Sequence, residues 1–172
     1  MSETDNNYRL GVLLYAFGPN DRLLLIKRAK KPHKGLWCAV GGKLEMSNGE
    51  SPYECAVREA KEEIDVDLVG DDLDLKCVIS EKNYEGVGHW LMFIFVVKRE
   101  IQVLPDSIDE GVFGFFELGD LDEVAMPAFD RKILLERILR TDGPALSFLR
   151  VNGKGESLTD SLFVEQESIR KS

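Results

Sequence analysis

Cysteine is scarce in this sequence, and no apolar run is long. The 172 residues hold three cysteines, Cys38, Cys55 and Cys77, which are odd in number, far apart and without a Cys-x-x-Cys pair. A disulfide framework or a structural zinc site is therefore not expected, and a reducing compartment is the simplest interpretation. The longest apolar run, residues 91–97, has the length of a buried strand and falls far short of a membrane span.

Basic residues are also in deficit. The 22 Lys and Arg residues are outnumbered by 31 Asp and Glu residues, which leaves a net charge of −9. The mean field of such a chain repels phosphate, so a broad grip on DNA or on an anionic membrane surface is not expected. A phosphate-bearing ligand would need a local basic patch or a metal ion. Residues 1–7 are acidic and polar, unlike a signal peptide, so we expect a cytoplasmic protein without a DNA-binding domain or membrane contact.

Glycine and proline show no periodic repeat. The 15 Gly and 6 Pro are scattered, which excludes a collagen-like or repeat architecture. A content of 44% hydrophobic and 31% charged residues indicates one soluble globular domain. We divide the chain into a flexible tail (1–8), a main domain (9–144) and a C-terminal extension of uncertain structure (145–172). The extension either packs on the domain as a hairpin or mediates contacts with another molecule, so the sequence does not decide between a monomer and a homodimer.

Apolar periodicity predicts about six strands and two helices in the main domain. The strands are expected at residues 9–17, 22–28, 36–40, 73–82, 88–99 and 112–117, and the helices at 51–64 and 129–140. A mixture dominated by strands predicts an α/β (α+β) sandwich around a mixed β-sheet. We expect Trp37 and Trp90 to be core or packing residues rather than base-stacking platforms.

The first helix has strong signals at both ends. Ser51 can cap its N-terminus, Pro52 suits its first position, and Glu54 completes a capping box with Ser51. Asp65 follows the last apolar position, where helices often end in a left-handed residue that Asp tolerates better than most.

Three acidic residues of this helix, Glu59, Glu62 and Glu63, are spaced so that they share one face. Like charges at this spacing repel each other, and a bound divalent cation would offset the repulsion. Oxygen-only ligands favour Mg²⁺ or Mn²⁺, and Mg²⁺ typically shares its shell with substrate phosphates. Taken alone, three glutamates are more typical of a solvated acidic helix face.

Residues around this helix widen the pattern. Gly41 and Gly42 end a predicted strand, where glycines let a backbone approach a ligand and expose a carbonyl to a metal. Arg58 can reach Glu62 and can brace a loop carboxylate such as Glu50. A basic cluster precedes the glycines and is as typical of a solvated loop as of a phosphate site; it comprises Lys27, Arg28, Lys30, Lys31, His33 and Lys34. Of the basic residues, Arg28 and Lys43 flank the expected site most closely.

Residues 42–66 read GKLEMSNGESPYECAVREAKEEIDV. This stretch resembles the Nudix box, G-x5-E-x7-R-E-U-x-E-E-x-G-U, where U is an aliphatic residue. Glu50, the pair Arg58-Glu59 and the pair Glu62-Glu63 fall in register with it. The run Gly-Leu-Trp-Cys-Ala-Val-Gly-Gly at 35–42 is similar to the family's approach to the box. A motif of this length with fixed spacing is a strong signal.

The resemblance implies a Nudix α/β/α sandwich and hydrolysis of a nucleoside diphosphate linked to another group X. It implies that Glu62 and Glu63 are Mg²⁺ ligands, that a carbonyl of Gly42 or Gly41 is another, and that Glu59 is a ligand or the general base. The expected catalytic residues are Arg58, Glu59, Glu62, Glu63 and Glu110, the expected metal ligands Glu59, Glu62, Glu63 and Gly42, and the expected substrate contacts Arg28, Gly41, Gly42 and Lys43.

Glu110 enters this set through its position just before strand 112–117. Nudix enzymes often contribute a further carboxylate from that region, as ligand or base, and Asp109 is nearly as good a candidate. Two departures from the family pattern stand out: Ser47-Asn48 is a two-residue insertion between Gly42 and Glu50, and Asp65 replaces the glycine after the helix. Loops tolerate insertions well, so we expect the site to survive.

Within the family, the Arg28-Ala29 and Gly-Gly-Lys runs look like those of MutT-type enzymes. The first expectation is therefore hydrolysis of a small-molecule substrate, an oxidised or normal nucleoside triphosphate, to nucleoside monophosphate and pyrophosphate. The alternatives are an ADP-ribose or nucleotide-sugar pyrophosphatase, an RNA 5′-end pyrophosphohydrolase, and a catalytically weak regulatory module that binds a ligand through the Nudix fold.

Overall fold

A computed structural model of the protein describes residues 8–82, 88–139, 144–152 and 162–168. Its strands are β1 (Tyr8–Gly18), β2 (Arg22–Arg28), β3 (Trp37–Cys38), β4 (Leu73–Lys82), β5 (His89–Val97), β6 (Gly111–Phe116), β7 (Leu146–Asn152) and β8 (Leu162–Ser168). Its helices are α1 (Pro52–Ile64) and α2 (Leu135–Leu139), and a π-helical turn (Asp130–Leu134) leads directly into α2. Short 3-10 turns lie at Pro19–Asp21, Met46–Asn48, Gly70–Asp72 and Leu118–Glu123.

The strands form one mixed sheet in which β1 lies between β2 and β5. Its order is β3-β2-β1-β5-β4-β7-β8, and β6 also pairs with β2. The β1–β5 and β4–β7 pairs are parallel, and the other strand pairs are antiparallel. The C-terminal extension therefore supplies two strands to this sheet, since β7 and β8 pair with each other and β7 continues the sheet at β4.

A hydrophobic core lies on each face of the sheet. On one face, Val12, Leu14 and Phe95 pack with Ala56 and Ala60 of α1. On the other face, the core residues come from the sheet and from the segment that includes α2; they are Tyr15, Ile94, Cys77, Leu149, Val151, Leu134, Leu135 and Ile138, among others. Alternation along β1 sends successive side chains to opposite cores. This arrangement confirms the predicted sandwich around a mixed sheet.

The second helix differs from its prediction. A regular helix was expected at 129–140, but the Leu135 amide donates to the Asp130 carbonyl, five residues back, so the first part is a π-turn. Apolar periodicity cannot reveal one widened turn, because it changes the spacing at a single point. Residue 140 lies outside the described residues. Within the described ranges, no helix is long and apolar enough to cross a membrane.

Candidate active site

Gly41 and Gly42, the diglycine turn, lie where β1 meets the loop before α1. The Val12 amide donates to the Gly42 carbonyl at 2.9 Å, and the Leu14 amide donates to the Val40 carbonyl at 2.7 Å. A Cβ atom on Gly41 would lie 2.1 Å from the Val12 carbonyl oxygen, and one on Gly42 would lie 2.0 Å from Glu59 Oε1. Only glycine permits this close approach of backbone and carboxylate.

Helix α1 begins and ends as the sequence predicts. The Glu54 amide donates to Ser51 Oγ at 3.2 Å, and the Ser51 amide donates to a Glu54 carboxylate oxygen at 2.8 Å, which is the expected capping box. Asp65 is left-handed, with φ +52°, and its amide bonds the last-turn carbonyls. Asp65 thus performs the role that the family gives to glycine, and the helix phase places Glu59 and Glu63 beside the diglycine turn.

Arg58 organises the carboxylates around it. Its guanidinium donates to both oxygens of Glu50 at 2.7 and 3.0 Å, to Glu59 at 2.8 Å and to Glu62 at 3.1 Å. It also donates to the Lys43 carbonyl at 3.0 Å, which ties the inserted loop to the helix. The guanidinium holds the pKa of Glu50 down, to about 2. Arg58 is therefore a positioning residue whose fork fixes two glutamates of the helix and one of the loop.

Glu63 points toward the diglycine turn from the helix. Its carboxylate accepts a hydrogen bond from the Gly41 amide at 3.1 Å. Burial raises the pKa of Glu63 to about 7; the Gly41 hydrogen bond and Arg28 lower it, and the charges of Glu59 and Glu110 raise it. Burial likewise raises the pKa of Glu59, against the opposing effect of Arg58. These carboxylates thus crowd negative charge into a small, partly desolvated volume.

Glu110 lies at the same site on a separate loop. Its carbonyl accepts a hydrogen bond from the Ala29 amide at 2.7 Å, and its exposed carboxylate lies 3.7 Å from the Lys30 ammonium. The adjacent Gly111 packs so tightly that a Cβ there would lie 2.1 Å from the Lys27 carbonyl oxygen. The charge of Glu110 raises the pKa of Glu63, so the β2–β6 pairing brings Glu110 toward α1.

The donor set fits a hard divalent cation. All candidate ligand atoms are oxygens, from Glu59, Glu62, Glu63 and the Gly42 carbonyl, which keeps one lone pair beyond its bond to Val12. Among the described residues, no three acidic, His or Cys side chains already converge as a metal cluster. The reason is visible in the contacts, because Glu59 and Glu62 are turned toward Arg58.

A cavity of about 240 Å³ lies on the other side of the diglycine turn. Its walls are mostly apolar, and its lining includes Gly41, Gly42, Ile79, Trp90, Met92, Ile94, Phe129 and Leu134. Arg28 and Lys43, the two expected phosphate contacts, also line it. The cavity and the glutamate face of α1 therefore meet at the diglycine turn.

One acidic residue of the cavity wall has no counterpart in the sequence prediction. Burial raises the pKa of Asp130 to about 7, and the neighbouring Tyr15 hydroxyl partly offsets the rise. The sequence held one signal for it: Asp130 stands three and four residues before Ile133 and Leu134, on the apolar side of the predicted helix. A carboxyl group on a buried face is rare in proteins, and where one occurs it often belongs to a functional site.

Two curated proteins resemble this chain over most of its length. An uncharacterised Nudix hydrolase of Bacillus subtilis, YvcI, is 29% identical over 116 residues, which are 67% of this chain and 70% of the relative. An ADP-ribose pyrophosphatase of Methanocaldococcus jannaschii is 31% identical over 121 residues, which are 70% of this chain and 68% of the relative.

Solved structures agree with the fold. A mutator MutT protein from Bacillus halodurans superposes with a TM-score of 0.70 at 25% identity, over 91% of this chain and 97% of that chain. The NUDIX domain of Shewanella oneidensis NrtR, solved with ADP ribose, gives 0.63 at 20% identity, over 79% and 96%. The family model of the NUDIX domain matches residues 7–136. The chain therefore belongs to the Nudix family and is a hydrolase that acts on acid anhydrides.

Proposed function

We propose that this enzyme uses Mg²⁺ to hydrolyse nucleoside triphosphates, normal or oxidised, to nucleoside monophosphate and pyrophosphate. The observation that carries the proposal is the meeting of the cavity and the glutamate face at the diglycine turn. A base in the cavity places the attached phosphates beside Arg28 and Lys43, within reach of α1. The volume of about 240 Å³ lies below the roughly 300–1,000 Å³ of sites that enclose drug-sized ligands. It suits one base, with the phosphates outside.

The glutamates of α1 hold the cation in this proposal. Glu62 and Glu63, with Glu59 and the Gly42 carbonyl, supply its oxygen ligands. When bound, Mg²⁺ neutralises phosphate oxygens and stabilises the charge that develops during phosphoryl transfer. Arg58 positions Glu59 and Glu62, whose carboxylates would also be available to hold the cation.

The remaining steps belong to side chains of the cavity rim and of the loop before β6. Arg28 and Lys43 contact the phosphates as fixed positive charge in an otherwise acidic protein. A water molecule attacks phosphorus, Glu110 accepts its proton, and the bond to the leaving pyrophosphate breaks. Asp130, when ionised, accepts hydrogen bonds from ring N–H and exocyclic amine donors. Guanine presents two such donors side by side, which favours a guanine-type base.

The test is product release across a substrate panel with Mg²⁺. The panel contains dGTP, its 8-oxo form, ADP-ribose, a dinucleoside polyphosphate, a nucleotide sugar and 5′-triphosphorylated RNA. We expect pyrophosphate from the triphosphates and none from the Glu63→Gln variant. Wild-type release by Glu63→Gln would overturn the assignment of the glutamate face. Binding without metal and without turnover would instead favour the regulatory module.

Hydrolysis of ADP-ribose is the second candidate function. It is favoured by the 31% identity to the Methanocaldococcus jannaschii protein, which is an ADP-ribose pyrophosphatase. The same panel separates the two reactions, because ADP-ribose yields AMP and ribose 5-phosphate and no pyrophosphate.

A further inference from the structure

Trp90 stands at the rim of the cavity rather than in the core. It begins the run Trp90, Met92 and Ile94, whose alternating side chains line one wall of the cavity along β5. Its ring is half-buried, and Glu81 of β4, directly opposite in the sheet, lines the same rim. This position at the cavity differs from the expectation that Trp90 is a core or packing residue rather than a base-stacking platform. Trp37 fits that expectation better, since its ring packs edge-on against Phe116 at 4.6 Å.

Two cations share the Trp90 ring. Arg9 Cζ and Lys43 Nζ each lie 5.8 Å from the ring centroid. The ion pairs found between described residues include neither Arg9 nor Lys43. In a protein of net charge −9, two cations beside one aromatic ring are suited to an anion that carries an aromatic group.

We propose that the base of the substrate stacks on Trp90 and that Lys43, displaced from the ring, turns to the phosphates. The proposal rests on the proposed function and names the residue that receives the base. Stacking of a base on an aromatic ring is stronger than an exposed cation–π contact, so the exchange is favourable. It needs no backbone movement, because the Lys43 carbonyl is held by Arg58 at 3.0 Å while its side chain is exposed.

Tryptophan fluorescence tests the stacking directly. The chain has two tryptophans, so in the Trp37→Phe variant Trp90 is the single emitter. We expect GMP and AMP to quench this emission saturably and ribose 5-phosphate, which lacks a ring, to leave it unchanged. Absence of saturable quenching by either nucleotide overturns the proposal. Quenching without hydrolysis of any nucleotide would support the stacking site while the proposed reaction fails, so the two failures are distinguishable.

Steady-state kinetics provides the second test. Trp90→Leu should raise KM by about 10- to 100-fold with kcat within about twofold, and Trp90→Phe should restore most of the loss. The structure offers a matched control: Lys27 Nζ lies 6.0 Å from the Trp37 ring, a cation–π pair outside the cavity lining. Trp37→Phe should leave KM unchanged. An unchanged KM in a folded Trp90→Leu variant would overturn the proposal.

Discussion

The two sides of the diglycine turn are built differently. On the helix side, charged groups of one continuous segment converge, and a single guanidinium holds Glu50, Glu59 and Glu62. On the cavity side, apolar walls come from segments far apart in the chain, including β1, β4, β5 and the π-turn before α2. In the proposed reaction, the helix side handles phosphate and cation, whose chemistry varies little, whereas the cavity side meets the variable part of the substrate. In this proposal, the residues that determine the reaction type and those that select the substrate lie on opposite sides of the diglycine turn.

Glu63→Gln should have the largest effect on the helix side. Its amide oxygen can still accept the Gly41 hydrogen bond, but one negative charge is lost from the cation site. We expect kcat to fall by at least about 100-fold while the fold persists. Pyrophosphate release measures the rate, and urea unfolding checks the fold. Removal of Mg²⁺ by EDTA should reproduce the loss in the wild type; an enzyme indifferent to EDTA would contradict the cation site.

Arg58→Met should damage stability and activity together. The variant leaves the largely buried carboxylates of Glu50 and Glu59 without their cationic partner. Because the Arg58 side chain itself is partly exposed, we expect the loss of these ion pairs to cost about 2–4 kcal/mol. Urea unfolding at neutral pH measures this cost. Arg58→Lys, which keeps the charge and loses the fork, should recover only part of it. Full recovery would show that charge alone matters.

The stability that the ion pair between Glu50 and Arg58 contributes should depend on pH. The folded pKa of Glu50, about 2, lies below the ordinary value near 4.3. The stabilisation is therefore present above the ordinary value and is lost as pH falls through the folded pKa. Unfolding free energies of wild type and Glu50→Gln should converge as pH drops from about 5 toward 2. Parallel curves in this range would contradict the role of Arg58.

Asp130→Asn should reveal the cost of the buried carboxyl on the cavity side. The folded pKa of Asp130, about 7, lies above the ordinary value of 3.8, so the ionised form is disfavoured in the folded state. Wild-type stability should fall as pH rises from about 4 through 7, by as much as about 4 kcal/mol, and the variant should lack this fall. Urea unfolding of both proteins from pH 4 to 8 measures this fall in stability. Identical profiles would show that the Asp130 carboxyl is solvated in the folded state. Activity with dGTP and dATP should show reduced discrimination.

Ser51→Ala should have the smallest effect, confined to the helix side. It removes the side-chain acceptor of the Glu54 amide and should cost about 1 kcal/mol of stability without changing kcat. Ser47→Ala, on the exposed inserted loop, is the matched control and should cost nothing measurable. Equal losses in both variants would mean that the cap contributes nothing.

The same division explains what could be predicted from sequence. Helix α1, its caps and its glutamates follow from local spacing, and the Ser47-Asn48 insertion is absorbed in a 3-10 turn without disturbing Arg58. The π-turn brings Asp130 to the cavity, and the strand register brings Trp90 there. Local apolar periodicity encodes neither the π-turn nor the register. The parallel pairing of β7 with β4 could not be predicted either, because the sequence of a strand does not specify which strand lies next to it in a parallel pair.

Strand β7 has a consequence for the order in which the molecule can assemble. Leu149 and Val151 of this strand complete the core that backs the cavity, yet they lie near the end of the chain. On a ribosome, α1 and its charged face emerge long before these residues, so the machinery for phosphate precedes the chamber for the base. Long-range parallel pairing is slow to form, so in the proposed enzyme the cavity that selects the base forms after the helix that binds phosphate.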